Sequence, residues 1–496
     1  MKKLIVLLAI GFVCAFRLAA QTDIDALRYS QILPGGTARS ISMGSSFGAL
    51  GGDFSCLSMN PAGISIYRRS EISFTPSILD IKANSDYLGS TYNDSKYNFN
   101  ISNIGWVAHS QIQNASPDGW QSWDFGLGYN RLNNFNSNLA FEGVNRKNSL
   151  LDLFTQKANA NGGVLPSDLG SGNSYPFDAS LAYNNFLINP DSANHYTHVL
   201  PNAGETQRMT IHSTGSLGEM VFTLGANYAN KFYFGATVGV DYLNYNETSN
   251  YNESISNDTI NKFKSFNLNR TLNTSGTGIN LKLGMLYRLN DYVRFGLAVH
   301  TPTFFTMHDD YTAYMNSTFE STSYAYPDPQ SPITGKFDYN FTNPLRFIAS
   351  VAGIIGTYGA INFDYEFVDY SAAKLDASTY DFFTANYAIQ HKYTQASNFR
   401  VGTEWKFKGI SFRGGYSYYG TPFSSGNAAP GGADMSITNY TAGIGVKDKG
   451  VSLDFGYVYS MSKNYYVPYT LDGQTVEGAT NKINTNTFVM TIGYRF

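Results

Sequence analysis

The chain has 496 residues, with 34 Lys and Arg against 37 Asp and Glu, a formal net charge of −3 and a mean hydropathy of −0.24. That balance excludes the basic face that nucleic-acid binding requires. With 37 Tyr, 35 Phe and 47 Gly but only two Cys, the composition also excludes a disulfide-stapled exported domain and suits aromatic-rich β-structure.

The amino terminus reads as an export leader over 1–20. Met1-Lys2-Lys3 is basic, Leu4 to Phe16 is apolar, and Leu18-Ala19-Ala20 offers a small-residue cleavage site. The apolar run is too short for a retained membrane helix. Removing Lys2, Lys3 and Arg17 with the leader leaves 31 basic against 37 acidic residues, a balance near −6, and Cys56 as the one remaining thiol. No later stretch is apolar for the 18 or more residues a membrane helix needs.

Residues 21–69 read neither as strand nor as disorder. Small residues let the segment fold tightly, while Met43, Phe47, Leu50, Phe54 and Leu57 supply a modest core. About fifty residues do not easily make an independent domain, but placed before a barrel they can be buried within it as a plug.

Period-2 alternation then predicts fourteen strands, near 70–81, 97–109, 120–134, 216–229, 231–246, 277–289, 292–305, 344–355, 357–368, 397–407, 409–419, 437–447, 449–461 and 485–496. In the last of them Phe488, Met490, Ile492, Tyr494 and Phe496 share one face, and Val489, Thr491, Gly493 and Arg495 share the other. Tight links at Asn230, Asn290-Asp291, Gly356, Lys408 and Asp448 alternate with long ones near 82–96, 135–215, 247–276, 306–343, 369–396, 420–436 and 462–484. The ten-residue link 110–119 is the one deviation on the short side. Such segregation predicts an all-β, fourteen-stranded antiparallel transmembrane barrel over 70–496, with short periplasmic turns and long outer loops. An even strand count places both ends of the wall on the periplasmic side. Lys282, Arg288, Arg294, Asp364, Glu366, Arg400, Glu404, Arg413, Asp454 and Arg495 all oppose the apolar stripes. On the lipid side each Lys or Arg would cost roughly 2–4 kcal/mol at the midplane, so these charges are expected in the lumen, as ion pairs bracing the wall or as steering groups for a polar head.

In the loop 135–215, Ser149 to Lys157 has the cap and spacing of a short amphipathic helix, and a second apolar cluster follows at Leu181, Phe186, Leu187 and Ile188. These residues either pack the loop into a lid or offer a landing site for an apolar ligand. The histidines are scattered. His195 and His198 would converge if their loop were helical, and His308-Asp309-Asp310 could form a metal corner, but both read best as polar loop residues. There is no zinc spacing, phosphate loop or G-x-S-x-G elbow, so no enzyme, metal or cofactor is expected.

Arg39, Met43-Gly44, Gly51-Gly52-Asp53 and Asn60-Pro61-Ala62-Gly63 together resemble the amino-terminal hatch of the FadL/TodX outer-membrane transporters. The strand count and His300-Thr301-Pro302 at the end of the seventh strand fit as well. The resemblance implies residence in a Gram-negative outer membrane and passive uptake of a hydrophobic small molecule, such as a long-chain fatty acid. Ligand would land among the outer loops, move to a pocket above the hatch and leave sideways into membrane lipid. It implies a hatch turn and exit gate at Gly44, Gly52, Asn60, Pro61, Ala62 and Gly63. A ligand path past Met43, Phe47, Leu150, Leu153, Phe154, Phe304 and Phe305 is the matching guess, with Arg294, Arg400, Glu404 and Arg413 as lumen charges. Related barrels serve as subunits or shuttles of secretion complexes with outer-membrane partner proteins, and some carry a haem-receptor label. Those are the second and third readings.

Overall fold

The computed structural model describes residues 22–191, 194–200, 204–255, 261–424 and 434–496. The expected leader over 1–20 lies outside them. The wall consists of β1 (Glu71–Tyr87), β2 (Ser90–Gln111), β3 (Trp120–Asn134, continued by Ser137–Asn145), β4 (Glu205–Tyr228), β5 (Phe232–Ser254), β6 (Phe263–Arg288) and β7 (Val293–His300, continued by Phe304–Phe319). It goes on through β8 (Ile333–Thr342, continued by Arg346–Ile355), β9 (Gly359–Asp369), β10 (Gln395–Phe407), β11 (Ile410–Tyr419), β12 (Ile437–Asp448), β13 (Val451–Tyr466) and β14 (Ala479–Arg495). Each strand pairs antiparallel with the next, and β14 returns to β1, from Glu71↔Arg495 to Asp86↔Thr480, to close fourteen strands.

The alternation sorts as the sequence predicts. On β14, Phe488, Ile492 and Tyr494 are about half exposed on the outer wall, while Val489 and Thr491 are buried inside. Comparable apolar side chains on β2, β4, β6, β9 and β12 complete an outward belt. Unpaired strand edges cannot be tolerated in lipid, so a belt of this kind demands the closed ladder that is present. The periplasmic turns are tight. Lys408-Gly409 and Lys449-Gly450 are two-residue links with positive φ at both positions, the geometry that matches strand twist.

The outer connections differ from expectation. Where the sequence predicts a long loop over 82–96, the ladder of β1 and β2 continues to a two-residue turn at Leu88-Gly89. β4, β5, β6 and β7 likewise rise well past their predicted ends. Above the lipid both faces of a strand can be polar, so the apolar alternation vanishes while the backbone pairing goes on.

Residues 23–67 lie inside the wall. Helix α1 (Asp23–Ser30) is followed by a short turn of helix, α2 (Ala38–Ile41), and by two 3-10 turns at Phe54–Ser58 and Pro61–Ile66. Glycines on the inner wall make room for them. A Cβ at Gly126 would meet Leu57 and Ile64, and one at Gly415 would run into the backbone at Met43-Gly44. The inward charges form chains. Glu404 takes Arg39 at 2.8 Å and Arg413 at 2.6 Å, Arg413 reaches Asp454 at 2.7 Å, and Glu366 takes Arg346 and Arg400 at 2.7 Å each. Arg294 donates to the Leu50 carbonyl at 3.0 Å. The network therefore braces the wall and also ties residues 39–50 to it.

On the outer side, α3 (Leu150–Asn159), α4 (Pro166–Ser171) and α5 (Ala179–Asn184) fold over the raised strands. Leu150, Leu151, Phe154, Leu181 and Leu187 are buried against Phe263, Phe266 and Met315. Ser149 caps α3 and also hydrogen-bonds Glu253. Near it, at the top of β4 and far above the apolar belt, the Glu205 carboxyl is pushed up to about 7 by burial and by the Glu253 charge. Because the folded state favours the protonated acid, its contribution is complete below the ordinary carboxylate range near pH 4 and is lost as pH rises through about 7. Amide protection factors across 150–159, taken against the intrinsic exchange rate at each pH, should therefore be lower at pH 8 than at pH 5, and Glu205→Gln should flatten that difference. A pH-independent native profile would contradict the assignment.

Candidate functional site

The pairing of β2 with β3 begins at Gln111↔Ser122 and stops at Asn103↔Asn130, although both strands continue upward. The cause is local to β3. Its register against β4 shifts between Arg131 and Asn133, and beyond Asn134 the strand kinks where Phe135 donates to the carbonyl of Gly215, at φ +121°. A bulge followed by a kink takes β3 out of backbone pairing with β2 and leaves a window in the wall, above which Ser137–Asn145 packs back against β1 and β2 through side chains. Above the split, side chains replace backbone bonds. Asn134 donates to Asn98 at 3.4 Å, Asn138 to the Ser95 carbonyl at 3.1 Å, and Lys96 to the Ser213 carbonyl at 2.6 Å. At the window lies an open groove of about 720 Å³ lined by β2, β3, β4 and β5.

Its inner side is covered by Gln31–Gly36, the stretch between α1 and α2. Leu33 donates to the Leu132 carbonyl at 2.8 Å and Gly35 to the Arg131 carbonyl at 2.9 Å, using acceptors that β2 would otherwise occupy. Asn133 donates back to the Gln31 carbonyl at 2.8 Å, and the Gly36 amide reaches Ser102 on β2 at 3.2 Å. This stretch spans the opening from one edge to the other.

Above it, α1 fills the upper lumen. Tyr29 sits among Phe135, Tyr245 and Phe341 at 6.1–6.3 Å, and Ala26 and Leu27 pack into the cluster that includes Phe305, Met307 and Leu375. Asp23 is held by Lys392 at 3.0 Å and Tyr393 at 3.1 Å, beside α6 (Phe383–Lys392) in an outer loop, and Arg346 donates to the Ser30 carbonyl at 2.5 Å.

The residues expected to line the path lie in several places. Asn60, Pro61 and Ala62 do not face the window. Asn60 donates to the Gly48 carbonyl at 2.6 Å, and the turn presses on Gly235, Gly284 and Gly296 of β5, β6 and β7. Gly44, at φ +65°, lies against the backbone of Tyr416, and Gly52 pairs with the Gly63 carbonyl at 2.9 Å. The motif packs backbone against wall, which is why it needs small residues. Met43 and Phe47 are buried beside Ala352. Leu150 and Phe154 form the core of the outer cap and Leu153 its flank, so none of them lines an open groove. Phe304 projects outward, 60% exposed, while Phe305 points inward onto Phe341, since neighbours on a strand face opposite sides. Arg400, Glu404 and Arg413 are consumed in ion pairs.

The histidines do not converge. Their segment is a small hairpin of Ile188–Pro190 with Tyr196–His198 rather than a helix. His195 pairs with Asp191 at 3.2 Å and His198 with Asp152 at 3.0 Å. His308 and Asp310 point outward while Asp309 is buried on the other face. Among the described residues no group of three or more His, Cys, Asp or Glu is placed to hold a metal. The window leaves only a faint trace in the sequence. Its signal is the asparagine-dense run from Asn130 to Asn138, which interrupts the alternation of β3.

A closed fourteen-stranded barrel with an outward apolar belt and an occupied lumen has the architecture of an outer-membrane β-barrel. Among solved structures it is similar to a Pseudomonas aeruginosa FadL homologue, at 11% identity and TM-score 0.57 over 94% of this chain and 100% of that one. It is also similar to the Pseudomonas putida toluene transporter TodX, at 13% identity and TM-score 0.52 over 94% and 99%. The chain thus has the FadL/TodX fold. No family model matches it, and no curated protein matches it in sequence.

Proposed function

We propose that this barrel carries hydrophobic small molecules, of long-chain acyl or similar size, across the outer membrane and releases them sideways through the window between β2 and β3. The observation that carries the reading is that a non-strand segment, Gln31–Gly36, takes the place of β2 along the β3 edge. Backbone bonds of that kind can be exchanged without unzipping the barrel. Lateral release keeps an apolar chain out of water throughout, which matters at about 0.8 kcal/mol per CH₂. The solved barrels of this fold include a protein described as a toluene transporter, which supports a hydrophobic cargo. Because α1 occupies the upper lumen, a ligand arriving there must displace it, and α1 is continuous with the segment that covers the window.

A reversible lock tests this. A Cβ at Gly35 would lie 3.0 Å from Ser102 Oγ and 2.7 Å from the Arg131 carbonyl oxygen, so Gly35→Cys with Ser102→Cys brings two thiols within bonding reach once the segment eases off that carbonyl. The reduced double variant must first be shown to carry cargo as the native barrel does. Oxidation should slow uptake of a fluorescent fatty acid at least tenfold, and reduction should restore it. Undiminished uptake with the disulfide verified by mass spectrometry would refute lateral release by this route.

A further inference from the structure

The window is not lined as a passage for bare hydrocarbon. Its lining is mixed: Phe99 and Ile104 are apolar and exposed on the outer wall, and beside them stand the carboxamides of Asn98, Asn100 and Asn136 and, on the same outward face of β5 as Tyr242, those of Asn244 and Asn246. Arg131 stands among them. Its Nε donates to the Ile101 carbonyl at 3.2 Å, and among the described residues the guanidinium pairs with no carboxylate. Lys96, at the upper end, likewise spends its ammonium on the Ser213 carbonyl and the His212 ring rather than on an acid. Elsewhere in the lumen Arg39, Arg346, Arg400 and Arg413 meet carboxylates directly, and Arg294 is spent on the Leu50 carbonyl of the inner segment. A hydrocarbon pressed through this slot would strip water from several amides and give no hydrogen bond in return. A chain with an acceptor-rich head supplies those bonds while its tail stays against the apolar side chains.

We infer that the window is a head-group site. Arg131, with the surrounding asparagines, selects single-chain amphiphiles bearing an anionic head, carboxylate or phosphate, over molecules of the same length without one. The inference rests on the window being the exit and assigns it a specificity-determining residue. Passage requires no covalent step: the head exchanges water for Arg131 and the amides, and the tail partitions directly into lipid.

The test uses the full-length barrel in lipid vesicles, with hexadecanoate, hexadecyl phosphate and hexadecanol as probes. Transfer of the two anions should fall about tenfold or more in Arg131→Gln, the scale of one lost charge-assisted hydrogen bond. Arg131→Lys should recover part of it, and hexadecanol transfer should change less than twofold. Equal slowing of all three probes, or no slowing of the anions, would overturn the head-group site while leaving lateral transport standing. Failure of the native barrel to carry any of the three would remove both. Mass spectrometry of purified barrels supplies the last arm. A phosphate-headed membrane lipid held by the native protein and lost from Arg131→Gln would make the site a lipid anchor and overturn its role in cargo choice.

Discussion

Replacing Glu366 with alanine should destabilise the folded barrel more than any other single change in the inner wall. Glu366 on β9 takes Arg346 of β8 on one oxygen and Arg400 of β10 on the other, both at 2.7 Å, and all three side chains are almost fully buried. Removing it leaves two guanidiniums facing one another's strands. Arg400 would keep Asp364, at 3.8 Å, and the Tyr419 hydroxyl, and Arg346 the Ser30 carbonyl and the Tyr370 hydroxyl, with no carboxylate within hydrogen-bonding distance of either. Breaking a buried pair from one side costs about 3–5 kcal/mol, because the desolvated charge that remains has nowhere to go. The urea midpoint of the detergent-solubilised barrel should drop accordingly. A double change to Arg346→Met with Glu366→Leu should recover part of the loss. An unchanged midpoint in the single variant would mean that water reaches the pair.

Gly284→Val should open the lumen while leaving the wall intact. A Cβ at Gly284 would lie 2.9 Å from the Ala62 amide and from Pro61 Cδ, with Asn60 closer still. The neighbouring Gly235 and Gly296 are in the same position, so the turn at 60–62 has no slack on this side. The strand is fixed by pairing on both edges, hence the inner segment must yield. Overpacking of this sort costs about 1–3 kcal/mol, comparable to the bonds that seat the turn. In planar bilayers the variant should show steady ion conductance where the native protein shows little, with the heat-modifiable gel shift of a folded barrel retained. A silent, folded variant would show that the segment absorbs the methyl groups without moving.

What the sequence discloses depends on which physics acts on each residue. In the lipid layer every wall residue must choose between hydrocarbon and lumen, so Phe488, Ile492 and Tyr494 oppose Val489 and Thr491 and all fourteen strands can be read. Above the lipid that choice disappears. Tyr92, Asn93 and Asp94 are no more polar on one face than on the other, and the ladder through them reads as a loop. The charges could be assigned to the inner face, but not their partners: Glu404 meets Arg39 across more than three hundred residues, which no local pattern encodes. Asn60-Pro61-Ala62 is visible as a motif, yet its placement against three glycines on strands far along the chain is tertiary information. The window is hardest, since it arises from one extra residue in β3 and a kink, and the segment that fills it carries no apolar pattern.

The seam between β14 and β1 bears on how the molecule is made. Thr491 on β14 accepts the Ala38 amide at 2.7 Å and shares a hydrogen bond with Thr75 of β1, also at 2.7 Å. Four residues on, Arg495 pairs with Glu71 of β1 and donates to the Gly52 carbonyl at 3.1 Å. The same side chains thus join the last strand to the first and both of them to the inner segment. Sealing the cylinder and seating its contents become a single step in biogenesis. A chain that reaches its final strand with an empty interior lacks part of the adhesive for its own seam, so an unfilled pore is discouraged during membrane insertion rather than corrected afterwards.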